Sequence, residues 1–162
     1  MAFDTYLVIK EVKGEATGYK DAIEVFSFSF GASNPISIGT HSAGASSGKV
    51  SVSSFNVMKK TDAASTQLFL ACCQGAHFKN MEVHMRKQTG KGGQQDFLTY
   101  TFETVFVESI QWSGSSGGDD VPTESVSFAF GSVHIEYKKQ KADGTLEAGG
   151  DAKWDLTKAS TK

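Results

Sequence analysis

Cys72, Cys73, His77 and His84 are the residue types that could build a metal centre, and their spacing argues against one. Zinc sites usually space paired cysteines by two to four residues so that both sulfurs converge on the ion. Adjacent cysteines on a helix diverge, which also argues against a disulfide between them. They read as buried thiols, and His84, at a polar position of an alternating strand, reads as structural filler. Ser27 and Ser29 offer hydroxyls, yet no histidine–acid pair can be placed beside them to make a nucleophile. Gly114-Ser-Ser-Gly-Gly is glycine-rich like a phosphate loop but lacks the Lys-Ser/Thr that such a loop needs. Asp119-Asp120 lacks the alternating ligands of a calcium loop. No Gly-x-Ser-x-Gly stands at a strand-to-helix turn, as a nucleophile elbow requires, and His-Glu-x-x-His does not occur. The expectation is a protein with no catalytic, cofactor-binding or metal-binding residue and no cofactor, not an enzyme.

The elements that would position these side chains are mostly strands. Ile23 to Gly31 reads Ile-Glu-Val-Phe-Ser-Phe-Ser-Phe-Gly. Strand side chains alternate between faces, so Phe26, Phe28 and Phe30 form an aromatic wall backed by the small hydroxyls of Ser27 and Ser29. Ser125-Val-Ser-Phe-Ala-Phe-Gly131 repeats the pattern. Val50 and Val52 change phase to Phe55 and Val57, a bulge signal near Ser53-Ser54. A second phase change, from Val126, Phe128 and Phe130 to Val133, Ile135 and Tyr137, falls at Gly131-Ser132. Two such shifts in long strands suggest a sheet curling into a barrel. Phe97–Trp112 places Leu98, Tyr100, Phe102, Phe106 and Ile110 on one face. Leu68, Phe69, Cys72 and Cys73 recur at helical spacing, with Asp62 or Ser65 as N-cap and Gly75 closing the helix. Residues 32–48 have no sustained periodicity and too few apolar residues for a core of their own, so contact with another chain is their expected use.

The bulk composition restricts the function classes. A chain of 162 residues is expected to form one domain, and a net charge of −2 implies no attraction to nucleic acid or anionic membrane. Seventeen glycines against two prolines fit a β-rich chain with many turns. The N-terminal Met1-Ala-Phe-Asp-Thr-Tyr-Leu-Val-Ile-Lys10 lacks the basic region and apolar stretch of a signal peptide, and no apolar run is long enough to span a membrane. Cytosolic synthesis without membrane insertion is expected, with any export using a route that needs no cleaved leader.

Taken together, the segments resemble the haemolysin co-regulated protein family (Hcp), the inner-tube subunit of bacterial type VI secretion. The likeness runs through Asp4-Thr-Tyr-Leu-Val-Ile, Lys13-Gly-Glu15, Phe28-Ser-Phe-Gly31, Gly48-Lys-Val50, Asp62-Ala-Ala-Ser65 and Gly75-Ala-His77. It continues through Met85-Arg-Lys87, Pro122-Thr-Glu124, Gln140-Lys-Ala-Asp-Gly144 and Trp154-Asp155. Members often carry tryptophan where Phe28 and Phe30 stand, and proline at the position of Gln67.

The resemblance implies a mainly β protein over residues 1–162: a β-barrel of two antiparallel sheets with one flanking α-helix, assembled as a hexameric ring. Stacked rings would form a hollow tube, expelled with a spike protein at its tip by a contractile sheath and carrying effector proteins in its lumen. Localisation would be cytoplasmic during assembly and extracellular after firing. Ser27, Ser29 and Ser116 are then the candidates for the lumen. Gly39, Thr40, His41, Ser42, Gly44, Ser47 and Gly48 are the candidates for contact with a neighbouring subunit or ring. A monomeric β-barrel binding a small ligand in its interior is the alternative.

Overall fold

Alternating β-branched and aromatic residues pair antiparallel through most of the chain. The computed structural model describes residues 2–39, 44–118 and 120–161. The first half contains β1 (Asp4–Val8), β2 (Ile23–Val25), β3 (Ser27–Ser29), β4 (Ala32–Ser33), β5 (Ile36–Ile38), β6 (Ala45–Ser47), β7 (Ser51–Val52) and β8 (Phe55–Lys60). After α1 (Ser65–Gln74), the one α-helix among the described residues, come β9 (His77–Thr89), β10 (Gly93–Ser113), β11 (Thr123–Gln140) and β12 (Leu146–Asp155). The main sheet has eight strands, in the order β2-β1-β9-β10-β11-β8-β3, with β12 on the remaining edge of β11. Its two ends, β2 and β3, are consecutive pieces of one chain segment. β2 pairs with β1 through Thr5↔Val25, and β3 pairs with β8 through Phe28↔Val57. The sheet is thereby drawn round into a near-closed barrel with one flanking helix.

That seam explains a departure from the aromatic wall. Phe26 donates its backbone N–H to Met58 O at 2.8 Å while Ser27 also stands opposite Met58, so two residues face one. The extra residue reverses the phase: Ile23 and Val25 point inward, Phe26 is turned out and 53% exposed, and Phe28 and Phe30 return to the core. Phe26 therefore does not belong to the wall.

Inside the barrel, Phe55, Phe102, Phe128, Leu7, Ile23, Met81 and Met85 are essentially solvent-free. Phe102 packs on Phe55 and Phe130 at centroid distances of 5.0 and 4.5 Å. Such an interior is filled by its own side chains, and the small-ligand alternative finds no support there. The phase change at Gly131 is present, and β10 matches it. Thr104 has φ 55° opposite Gly131, so Phe102↔Val133 on one side and Val105↔Phe130 on the other are all buried. The flip carries Phe106 out to 38% exposure and off the face shared with Phe102.

α1 buries Ser65, Leu68 and Ala71, and Gly75 ends it at φ 63°, a left-handed position that favours glycine. The cap is offset from the expected one. Asp62 Oδ1 accepts the Ala64 N–H at 3.0 Å, one residue ahead of the helix, while Ala64 at the N-cap position has no side-chain bond. Phe69 is 48% exposed and rests on Trp112 instead of the core. Cys73 is exposed and Cys72 half-buried, both free, which corrects the reading of two buried thiols.

The described parts of the 32–48 segment, residues 32–39 and 44–48, are not irregular loop. They make most of a hairpin arm in which β4 pairs with β7 and β5 with β6, continued by Gly48 N–H donating to Pro35 O at 2.8 Å. The expected bulge at Ser53-Ser54 is the break between β7 and β8, where the arm rejoins the barrel. From sequence the polar tail offers only Lys153-Trp-Asp-Leu156 for a short edge strand; the strand observed is longer, from Leu146 to Asp155.

Candidate functional surfaces

The outward residues of β3, β8, β11 and β10 line up across the sheet. One row reads Ser29, Asn56, Ser127, Ser109 and the next reads Ser27, Met58, Ser125, Gln111. Each alternates with a core residue such as Phe28, Phe55, Val57, Val126 or Phe128, so the register alone fixes the face they share. Asn56 ties the first row together: its amide donates to Ser29 Oγ at 3.4 Å, and its carbonyl accepts from the Ser127 hydroxyl. The result is a smooth surface of hydroxyls and amides, with Met58 at 41% exposure and the outward Phe26 as its large apolar members. Lys60 Nζ stands 5.6 Å from the Phe26 ring centroid at its margin.

Ser27 and Ser29 thus lie together and exposed, on adjacent rows. Ser116 is exposed in the turn between β10 and β11, beyond the Ser113↔Thr123 pair that ends those strands. Of the arm candidates, Gly39, Gly44, Ser47 and Gly48 are exposed on the hairpin. Thr40, His41 and Ser42 lie outside the described residues, as does Asp119. Among the described residues no group of three or more His, Cys, Asp and Glu could hold a metal ion. No helix there is long and apolar enough to cross a membrane.

Two polar clusters escape reading by segment. Lys59 is 1% exposed, facing inward beside Phe55 and Val57, with Glu124 at 0% opposite it. Lys59 Nζ donates to Lys60 O (2.8 Å), Asp62 Oδ1 (2.9 Å), Ser65 Oγ (3.0 Å) and Glu124 Oε1 (3.3 Å). The Ser65 hydroxyl donates to the other Glu124 oxygen and accepts the Asp62 N–H at 2.9 Å. This cluster fastens the start of α1 to the barrel wall. The signal was available: Lys59 and Glu124 sit at inward parity in their strands.

His84, 7% exposed, is the second cluster's centre and corrects its reading as an outward filler. Its ring nitrogens each lie 3.0 Å from a carboxylate, Glu82 on one side and Asp96 on the other, and Tyr19 stacks on its face. Arg86 Nε is 2.9 Å from Asp96 Oδ1, within ion-pair range but off the line of a hydrogen bond. Burial, followed by the charges of Asp96 and Glu82, pushes the Tyr19 phenol above its ordinary range. The cluster pins the β1–β2 connection to β9 and β10.

Comparison with known proteins agrees with this architecture. Residues 6–137 match the family model described as "Type VI secretion system effector, Hcp". Protein hcp1 of Pseudomonas aeruginosa is 34% identical over 151 residues, covering 92% of this chain and 91% of that protein. A solved structure of a type six secretion system protein superposes with a TM-score of 0.91 at 36% identity, covering 99% of this chain and all of that one. Hcp1 from Salmonella typhimurium superposes with a TM-score of 0.77 at 28% identity, each chain covered in full. On the near-closed barrel, the flanking helix and the sequence match over most of its length, this chain belongs to the Hcp family of type VI secretion system proteins.

Proposed function

We propose that this chain is the ring-forming subunit of a type VI secretion tube: six copies close into a ring, rings stack into a hollow tube, and the lumen holds effector proteins until a sheath expels the tube behind its spike. The observation that carries this reading is the pairing of a filled barrel interior with a flat hydroxyl face on the reverse of the same strands. A surface of short uncharged side chains contacts varied cargo weakly, which release requires. In this reading Ser27, Ser29 and Ser116 border the channel, and the arm reaches a neighbouring copy. Ring closure needs head-to-tail contacts between different patches of each copy.

The test is the size and shape of the purified protein. Light scattering after size exclusion should give six times 17.4 kDa, and negative-stain images should show open rings. A protein that stays monomeric at every concentration tried overturns the reading.

A further inference from the structure

Apolar surface left open on a folded chain usually marks a contact, and two such surfaces here match each other. A cleft of about 470 Å³ opens at the root of the arm, lined by Phe30, Ala32, Val50, Val52, Ile135 and Trp154. Its walls come from the outgoing strand of the arm, the returning strand, and the sheet where Val133 pairs with Trp154. No charged side chain lines it. The second surface lies farther out on the arm, where Ile36 is 64% and Ile38 is 81% exposed. Two residues apart on one strand, they project from the same side. From residue 31 to 39 and from 44 to 48 the arm carries no Asp, Glu, Lys or Arg. Bringing the two surfaces together therefore strips no ion of water.

The arm cannot fill its own cleft. Ala32 and Ser33 are held to Val52 and Ser51 at the root, and Ile36 to Ile38 are held to Ser47 to Ala45 beyond it. At about 3.3 Å per residue a paired ribbon carries Ile38 roughly 20 Å past Ala32. We propose that the cleft receives Ile36 and Ile38 from the arm of a second copy of this chain. Because knob and socket are different patches, each docked pair leaves one arm and one cleft open for the next copy, so the contact propagates or closes on itself. This inference rests on the tube-subunit reading and names the contact the arm makes within it.

The experiment uses the full-length protein, with Cys72→Ser and Cys73→Ser removing the native thiols. An Ile38→Cys variant is mixed with an Ile135→Cys variant of distinguishable mass under assembling conditions and mild oxidation, and mixed disulfides are counted by mass spectrometry. Placing the cysteines on separate chains excludes bonds within one copy. We expect mixed dimers well above those formed when Lys10→Cys replaces Ile135→Cys. Adding Ile36→Ser to the Ile38→Cys chain should cut their yield at least tenfold, on the order expected from withdrawing a buried isoleucine. Both arm positions are exposed, so an unchanged melting temperature verifies the fold of these variants. Mixed dimers no more abundant than the Lys10 control, from protein that still forms rings or tubes, overturn the arm-and-cleft contact and leave the tube-subunit reading standing. Failure of the unmodified protein to assemble at all overturns both.

Discussion

Lys59 is a charged residue at a position whose strand neighbours belong to the core, and its energetics follow from Glu124. Lys59→Met leaves the Glu124 carboxylate buried without its cation and should cost about 3–5 kcal/mol in urea unfolding. Adding Glu124→Gln should restore much of that loss, because a buried pair contributes less than its separated halves cost. Ser29 belongs to the other kind of residue, exposed and free of core contacts. Ser29→Trp should leave rings intact by negative stain and lower effector retention in a pull-down; unchanged retention would remove Ser29 from the channel. Asp155 supplies a pH response. The Thr157 hydroxyl foremost, with the Lys158 and Thr157 N–H groups, holds its carboxyl below the usual carboxylate range. The turn that follows β12 is therefore supported above the ordinary carboxylate range and released as pH falls through the lowered value. Amide exchange in residues 156–160 should quicken on acidification before exchange in the barrel does. Periodicity revealed Ser27 and Ser29 because alternation is local. Lys59–Glu124 and His84–Asp96 join residues distant in sequence or across a turn, and only parity hinted at the former.

At the level of elements, the helix and the long strands were legible because their patterns need no partner to be seen. Leu68 and Gly75 stand where spacing puts them, and Gly90-Lys-Gly-Gly93, which reads from sequence as a hairpin turn, joins β9 to β10. The arm was not, since strands of two or three residues rich in serine and glycine gain their identity only from the chain opposite. Phe26 was misplaced for a related reason: its segment serves two different partner strands, and the handover inserts the extra residue. Thr104 is a β-branched residue in the left-handed region, where side chains of its kind are strained. Thr104→Gly should raise stability by roughly 1 kcal/mol if relief of that strain outweighs the entropy of the unfolded chain; paired urea titrations decide it. Deleting residues 39–47 should shorten tubes far more than it lowers the melting temperature, because the described part of that segment touches no core. Equal losses would make the arm a mere strut.

On the scale of the molecule, the apolar faces of the strands seal one body and their polar reverses are left for company. The family was legible from the order of many weak segments, whereas the subunit number and cargo we propose would be properties of surfaces that meet only between chains. The segment from Ile23 to Ser29 has one last consequence. Because a single unbroken piece of backbone stitches the first strand ladder to the last, neither margin can peel away alone: loosening Val25 from Thr5 drags on Phe28 and Val57. A body closed by such a hoop resists opening from either margin, a trait that would suit the expelled tube we propose.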